Sequence, residues 1–302
     1  MKVLVLHTLP PESTEPGRIT GEFDLAGAAR GIADVLPGSV LAGIRGNPRE
    51  VLARLSRHPP DVVFNACEAP LGRPDLEAHV AALLEWSGVR FTGSGSETLA
   101  LCRRKDRTNA VLAAAGVPVA REALVPPWIV KPAAEDGSAW ITTDSICETV
   151  EQAAAAAARM PGAALMQEFL PGREFVVSLW GQSLPQFVSI GETVFRNGLR
   201  LNTYASKWDT ESTDFANSPL YYNTGIDPAL RNRITSIAEM AWLVVAARGY
   251  LRVDIRLDSE GEPRVIDVNP NPELGQGVGI CRAAAEAGWA WERFVRQQVE
   301  WA

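Results

Sequence analysis

Two aspartates, an asparagine and an arginine alternate with apolar residues near the end of the chain, in Leu251-Arg-Val-Asp-Ile-Arg-Leu257 and Pro263-Arg-Val-Ile-Asp-Val-Asn269. Asp258-Ser-Glu-Gly261 between them carries the glycine of a turn, so the pattern predicts a β-hairpin. A turn centred between Glu260 and Gly261 sets Asp254 opposite Asp267, Arg252 opposite Asn269 and Val253 opposite Val268. Side chains alternate by two along a strand, which gathers the four polar residues on one face. Opposed residues carry Cβ atoms about 4.5–5.5 Å apart, and two carboxylates that close repel unless positive charge lies between them. A divalent cation meets that requirement, and an oxygen-only set of Asp254, Asp267 and Asn269 suits Mg²⁺ (or Mn²⁺), which completes its shell with water and substrate phosphates. Arg252 beside a phosphoryl group would then steady charge that develops on an oxygen during transfer. The same residues also fit a solvated face on an edge hairpin, with Arg252 and Arg256 pairing off the acids and Arg252 in a plain salt bridge to Asp267.

Phosphate chemistry needs further cations. Lys131 ends the apolar run from Trp128 and precedes Pro132-Ala-Ala-Glu-Asp-Gly-Ser138, a polar loop whose backbone N–H groups could close over phosphates. This is neither a P-loop nor a G-x-G-x-x-G fingerprint, and Gly93-Ser-Gly-Ser-Glu97 lacks the third glycine of the latter. Lys105 and Lys207 are two more candidates that gain weight only in combination, since a lone lysine is usually surface charge.

The elements that must position these groups can be read in outline. Val3 to Leu6 and Asp61 to Asn65 read as buried strands and Leu76 to Trp86 as a helix stopped by Gly88, an open α/β unit. A junction near Gly93 precedes a helix that ends at Gly116, with Pro118 just beyond. Strands at Trp128 to Lys131 and Leu165 to Phe169 flank a helix over the alanine run Ala153 to Ala158. Strands at Phe175 to Trp180 and Phe187 to Ile190 follow, then a polar loop from Asn197 to Asn223. A helix opened by Asp227-Pro228 and closed by Gly249 carries Leu230, Ile234, Ile237, Ala241 and Val245 as a buried stripe. The expected division is 1–92, an N-terminal α/β unit; 93–170, a central unit with a lid loop; and 171–302, a C-terminal unit with the metal face.

Composition narrows the function classes. At 302 residues, 46% apolar and 22% charged, the chain is a folded protein rather than a disordered one. A net charge of −7 offers no general nucleic-acid or anionic-membrane surface. The four cysteines are scattered and read as reduced thiols, and His7, His58 and His79 are too few for a multi-histidine metal site. With no run of about 18 apolar residues and no leader, the expectation is a cytoplasmic protein without membrane or nucleic-acid partners.

The ordered set Val63-Phe64-Asn65, Phe91-Thr-Gly-Ser-Gly95, Lys105, Val117-Pro118, Ile129-Val-Lys-Pro132, Glu135-Asp-Gly-Ser138, Gly172-Arg-Glu-Phe175, Lys207, Arg252-Val-Asp254 and Asp267-Val-Asn269-Pro270 resembles the ATP-grasp superfamily, in its D-alanine–D-alanine ligase-like branch. The resemblance runs from about Val62 to about Pro272. It implies an α/β (α+β) ATP-grasp fold behind an N-terminal open α/β (pre-ATP-grasp) domain, with ATP clamped between the central and C-terminal units. It implies a carboxylate activated as an acyl phosphate and then attacked by an amine. Lys105 and Lys131 would contact the ATP phosphates, Gln167, Glu168, Phe169 and Leu170 would line the adenine pocket, and Glu174 would bind the ribose. Lys207 would reach the terminal phosphate, Asp254, Asp267 and Asn269 would hold Mg²⁺, and Arg252 would steady the acyl phosphate. The Lys131 to Ile141 and Asn197 to Asn223 loops would be lids that exclude water, with Ser138 facing the substrates. Homodimers are frequent in the branch, and the sequence itself locates no interface.

The chain departs from the branch on the substrate side. His7-Thr-Leu-Pro-Pro11 replaces a glycine-rich opening whose glutamate holds the first substrate's ammonium group; Glu22 is the substitute candidate, and Glu68 either faces the substrates or caps the following loop. The lid serine falls at Gly137, the tyrosine after the loop lysine is Trp208, and the second metal carboxylate is Asp267 in place of glutamate. Glu273-Leu-Gly-Gln-Gly-Val-Gly279 replaces the usual Gly-Met-Thr and serine, with Gly275 a candidate substrate contact. The departures spare the nucleotide machinery. The expectation is therefore ligation of amino-acid or small peptide substrates other than two D-alanines. A true D-alanine–D-alanine ligase, an ATP-grasp kinase that stops at phosphoryl transfer and a non-catalytic nucleotide binder are the rivals.

Overall fold

A computed structural model describes residues 1–9 and 25–302. Strands β1 (Val3–Thr8), β2 (Val40–Ile44), β3 (Val62–Ala66) and β4 (Arg90–Phe91) form a parallel sheet in the order β2-β1-β3-β4. All six residues of β1 are buried, which is why it reads as an apolar run rather than an alternation. Strands β5 (Trp128–Pro132), β6 (Ile146–Cys147) and β7 (Ala164–Glu168) form an antiparallel sheet in the order β6-β5-β7. The alanine run lies in the helix Val150–Ala158, opened by a capping box in which Thr149 and Gln152 bond each other's backbone N–H. This unit has its own small core of Trp128, Val130, Cys147, Ala153, Ala156 and Met160.

The third sheet is antiparallel and carries the hairpin. Strands β8 (Glu174–Gly181), β9 (Pro185–Thr193), β10 (Leu220–Tyr222), β11 (Gly249–Leu257) and β12 (Pro263–Asn269) run in the order β10-β9-β8-β11-β12. Helix Pro228–Val244 packs Leu230, Ile234, Ile237 and Ala241 onto it, against Phe175, Val177, Leu251 and Ile255. Asp227 caps that helix by accepting from the N–H groups of Ala229 and Leu230, and Pro228 occupies its first turn. A further core joins the parallel sheet to the C-terminal elements: Val5 and Phe64 pack with Trp180, Tyr250, Ile280 and Phe294. Trp289 stands edge-on to Trp180 and Phe187, centroids 5.9 and 4.4 Å apart, and so anchors the last helix, Trp291–Trp301.

Several predicted elements are revised. The Asp227-Pro228 helix stops at Val244, where Ala246 takes a positive φ of 52°, and Gly249 opens β11 instead of closing the helix. Gly249 has φ +75°, and a Cβ there would sit 3.1 Å from the Gly93 backbone, so glycine is required where two chain segments nearly touch. The helix predicted to end at Gly116 is two helices, Ser96–Cys102 and Lys105–Ala114, with Arg104 extended between them. The Asn197 to Asn223 loop contains the short helices Tyr204–Trp208 and Thr213–Ala216 and the edge strand β10. Strand β2 and helix Pro48–Arg57 have no counterpart among the predicted elements, although Asn47 and Pro48 form a legible cap.

Candidate active site

The hairpin register places Asp254 opposite Asp267, Arg252 opposite Asn269 and Val253 opposite Val268, as the alternation predicts. Nearer the turn the pairing slips by one, to Ile255 opposite Val265 and Leu257 opposite Pro263. A bulge at Asp254/Ile255 absorbs the slip, so the polar face is kept while the turn centres on Glu260, half a residue from its predicted centre. Asp254 is only 7% exposed, which removes the solvated-face reading. Arg252 chelates Asp254 through Nε at 2.9 Å and a terminal nitrogen at 2.8 Å, and the salt bridge to Asp267 of the alternative reading is not formed. Arg256 turns away from these acids to Glu174, at 3.1 Å, and to the carbonyl of Gly172.

Lys105 Nζ takes the place beside Asp267, at 2.7 Å, and also reaches Asp136 at 3.1 Å. The break before helix Lys105–Ala114 makes this possible by putting Lys105 in the first turn while Arg103 pairs with Asp136 and Glu135. Against burial, which raises it, Lys105, Lys131 and Arg252 hold Asp267 below the usual carboxylate range. Asn269 Oδ1 accepts from the Asn271 N–H at 2.8 Å. Two opposed aspartates and an amide oxygen, balanced by cations, are an oxygen-only donor set of the kind that suits Mg²⁺.

The cleft beside this face is lined by Lys105, Lys131 and Lys207. Lys131 donates to the Ile266 carbonyl at 2.9 Å, and burial lowers its ammonium to about 8. Burial and the nearby Arg252 also lower Lys207, which has no hydrogen-bond or ion-pair partner among the described residues. Gln167, Glu168, Phe169 and Leu170 line the cleft, as does Glu174. Gln167 Nε2 donates to the Ala120 carbonyl, whereas its buried Oε1 has no partner. Glu168 accepts from the Arg121 N–H, Phe169 faces the guanidinium groups of Arg200 and Arg256, and Glu174 accepts from Asn202 and Arg256. An orphaned amide oxygen and an unpaired ammonium in one cleft fit a ligand with a hydrogen-bonding base at one end and phosphates at the other.

A larger cavity of about 1380 Å³ opens on the other side of Arg252, Asp254 and Asn269. Glu68 lines it, whereas Ser138, with φ of 59°, lines the lysine-lined cleft. Gly137 borders both, and its carbonyl accepts from the Trp208 indole at 2.7 Å, so the two loops meet here. Gly277, Val278 and Gly279 form part of the cavity lining, and Gly275 lies behind them, with a Cβ position 2.9 Å from Val278. Glu22 lies outside the described residues. The structure adds Asp136, Arg103, Glu77, Asn271 and Glu273 to the site. Asp136 and Glu273 stand inside quoted motifs, but only three-dimensional contact reveals their partners.

The family model described as the D-ala D-ala ligase C-terminus matches residues 102–300. The chain belongs to the D-alanine–D-alanine ligase family. As a member it is an ATP-dependent ligase that forms C–N bonds. It is 29% identical over 272 residues to a D-alanine–D-alanine ligase of Rhizobium meliloti (strain 1021), covering 83% of this chain and 84% of that protein. It is 27% identical over 248 residues to one of Haemophilus influenzae (strain PittEE), covering 76% and 80%. The crystal structure of the Bacillus anthracis D-alanine–D-alanine ligase complexed with ATP superposes with a TM-score of 0.76 at 15% identity, covering 99% of this chain and 96% of that one. The ATP-grasp fold expected from the motif order is therefore the fold of this ligase. Among its described residues no helix is long and apolar enough to cross a membrane.

Proposed function

We propose that this ligase joins two amino-acid-like substrates, other than two D-alanines, through an acyl phosphate. The convergence of Lys105, Lys131 and Lys207 on the face of Asp254, Asp267, Asn269 and Arg252, at the mouth of the 1380 Å³ cavity, supports this reading. A carboxylate oxygen of the first substrate attacks the terminal phosphorus of ATP, and the bond to ADP breaks. The amine of the second substrate then attacks the carbonyl carbon, the bond to phosphate breaks, and the amine gives up a proton. Positioning and charge neutralisation supply most of the catalysis in such transfers, with no protein nucleophile needed. The three lysines hold the phosphates, and Arg252 steadies the negative charge on the oxygens of the acyl group. Asp254, Asp267 and Asn269 would hold Mg²⁺, which neutralises phosphate charge when bound. The Trp208 to Gly137 contact closes the loops over the site and keeps water from the acyl phosphate.

A second reading, with D-alanine as both substrates, is favoured by the names of the relatives. The carboxylate-lined cavity and Gly137 and Trp208 at the lid favour the first. Release of ADP and phosphate from Mg-ATP over single and paired D- and L-amino acids, with mass spectrometry of products and Asp254→Asn as control, tests both. A condensed product from a pair other than two D-alanines is expected. Condensation of D-alanine alone would select the second reading, and a phosphorylated product without condensation would overturn both.

A further inference from the structure

The cavity that adjoins the phosphate cleft has an acidic wall built from three separate parts of the chain. Glu68 follows β3, Glu77 opens the helix Glu77–Trp86, and Glu273 follows β12. Glu77 is fastened on both oxygens, accepting from the Ala69 N–H at 2.9 Å and from Asn271 Nδ2 at 2.8 Å. Asn271 Nδ2 also donates to the Cys67 carbonyl, in the peptide bond that leads into Glu68, and its backbone N–H donates to Asn269. A single asparagine thus ties the acidic wall to the metal face.

Among the described residues, Glu68 and Glu273 have neither a hydrogen-bond nor an ion-pair partner. Burial and the charges of Glu77 and Glu273 push Glu68 well above the usual carboxylate range. The arginines at and beside the cavity are otherwise engaged. Arg252 chelates Asp254, Arg103 pairs with Asp136 and Glu135, and Arg282 donates to the Leu220 carbonyl beside the Tyr222 ring. Lys207, with no hydrogen-bond or ion-pair partner among the described residues, lines both this cavity and the lysine-lined cleft where phosphate is expected. A second, independent vacancy is the Thr8 hydroxyl, on a cavity-lining residue 3% exposed, which has no partner beyond the weak thiol of Cys67. Unpaired carboxylates and a buried hydroxyl are costly to keep unless a ligand rich in N–H donors completes them.

We propose that Glu68, Glu77 and Glu273 form a cation-reading wall, and that the preferred amino-acid-like substrate carries an ammonium or guanidinium side chain besides its α-ammonium group. One α-ammonium balances one carboxylate; three convergent carboxylates call for a second cation. The inference deepens the ligase reading and rests on it for the reaction.

The test uses the full chain with Mg²⁺ and a non-hydrolysable ATP analogue. Calorimetry compares D- and L-ornithine and 2,4-diaminobutyrate with norvaline and 2-aminobutyrate, which keep the carbon skeleton and lose the side-chain charge. The basic member of a pair binds at least tenfold more tightly. Glu68→Gln and Glu273→Gln each remove most of that preference, with nucleotide affinity measured as the control for folding. Equal affinity within each pair, or a preference that survives the double substitution, overturns the wall. Condensation assays on the same pairs separate the two readings. Products from uncharged substrates alone keep the ligase and sink the wall, whereas Glu68-dependent binding of basic amino acids without any condensed product keeps the wall and sinks the ligase reading.

Discussion

Lys105 and Asp267, 162 residues apart in sequence, meet at 2.7 Å and join the lysine-lined cleft to the Asp254–Asp267 face of the hairpin. The same ammonium reaches Asp136, on the loop after Lys131, so that in this conformation a carboxylate of the lid occupies a lysine expected at phosphate. An incoming phosphate must displace it. Asp136 is partly exposed and solvent screens the pair, so the competition is modest. Asp136→Asn is therefore expected to lower the KM for ATP by about two- to tenfold, the span of up to about 1.4 kcal/mol. Titration of ATP at saturating co-substrates measures it, and an unchanged or raised KM would show that Asp136 does not compete.

Removal of the lysine has the opposite sign. Lys105→Met strands a carboxylate held low by that cation, and breaking a buried pair from one side costs about 3–5 kcal/mol. The variant should unfold at lower urea concentration than the parent and regain part of the loss in millimolar Mg²⁺, while kcat/KM falls by more than about 100-fold. Stability equal to the parent in metal-free buffer would contradict the neutralising role.

Arg252→Lys keeps a charge but loses the two-pronged grip on Asp254. A kcat reduced by about 100-fold or more, with a smaller change in the KM for ATP, is the expected result of losing an interaction made to the transferring group. A loss confined to KM would assign Arg252 to ground-state binding instead.

The hairpin shows which parts of this site were legible in the sequence. Asp254 opposite Asp267 follows from strict alternation, because a one-residue slip would turn an apolar side chain to the polar face. The bulge was not legible, since Val265 and Ile266 are both apolar and either can face the core. The lysines could be named because each ends or opens an element, but Lys105 reads as part of one long helix until Arg104 is seen to break it. Asp136, Glu77 and Asn271 were hidden for a different reason: their partners lie 31, 8 and 194 residues away, where neither period nor spacing carries information.

Burial raises Glu77 from 4.5 to about 7, against the pull of its two donors. A folded-state value above the unfolded one means that its contribution to stability is complete below about pH 4.5 and is lost as the pH climbs to 7. The urea midpoint of the parent, relative to Glu77→Gln, should thus fall between pH 5 and 8. A difference that is flat or rises over that window would count against a raised value. Affinity for a cationic amino acid should follow the reverse course and strengthen through pH 7, because the ionised carboxylate is the binding form.

The small core of Trp128, Val130, Cys147, Ala153, Ala156 and Met160 shares no residue with the cores on either side. Named bonds that cross from this sheet and its loop to the hairpin and its flank are polar, from Lys131 to the Ile266 carbonyl, Gln167 to the Ala120 carbonyl and Lys105 to Asp136. A seam held by hydrogen bonds re-forms in water at little cost, whereas a seam of interlocked carbon does not. The central sheet is in this sense fastened to the hairpin by a latch rather than by a shared core, and parting the two would break buried hydrogen bonds without dividing any of these hydrophobic clusters.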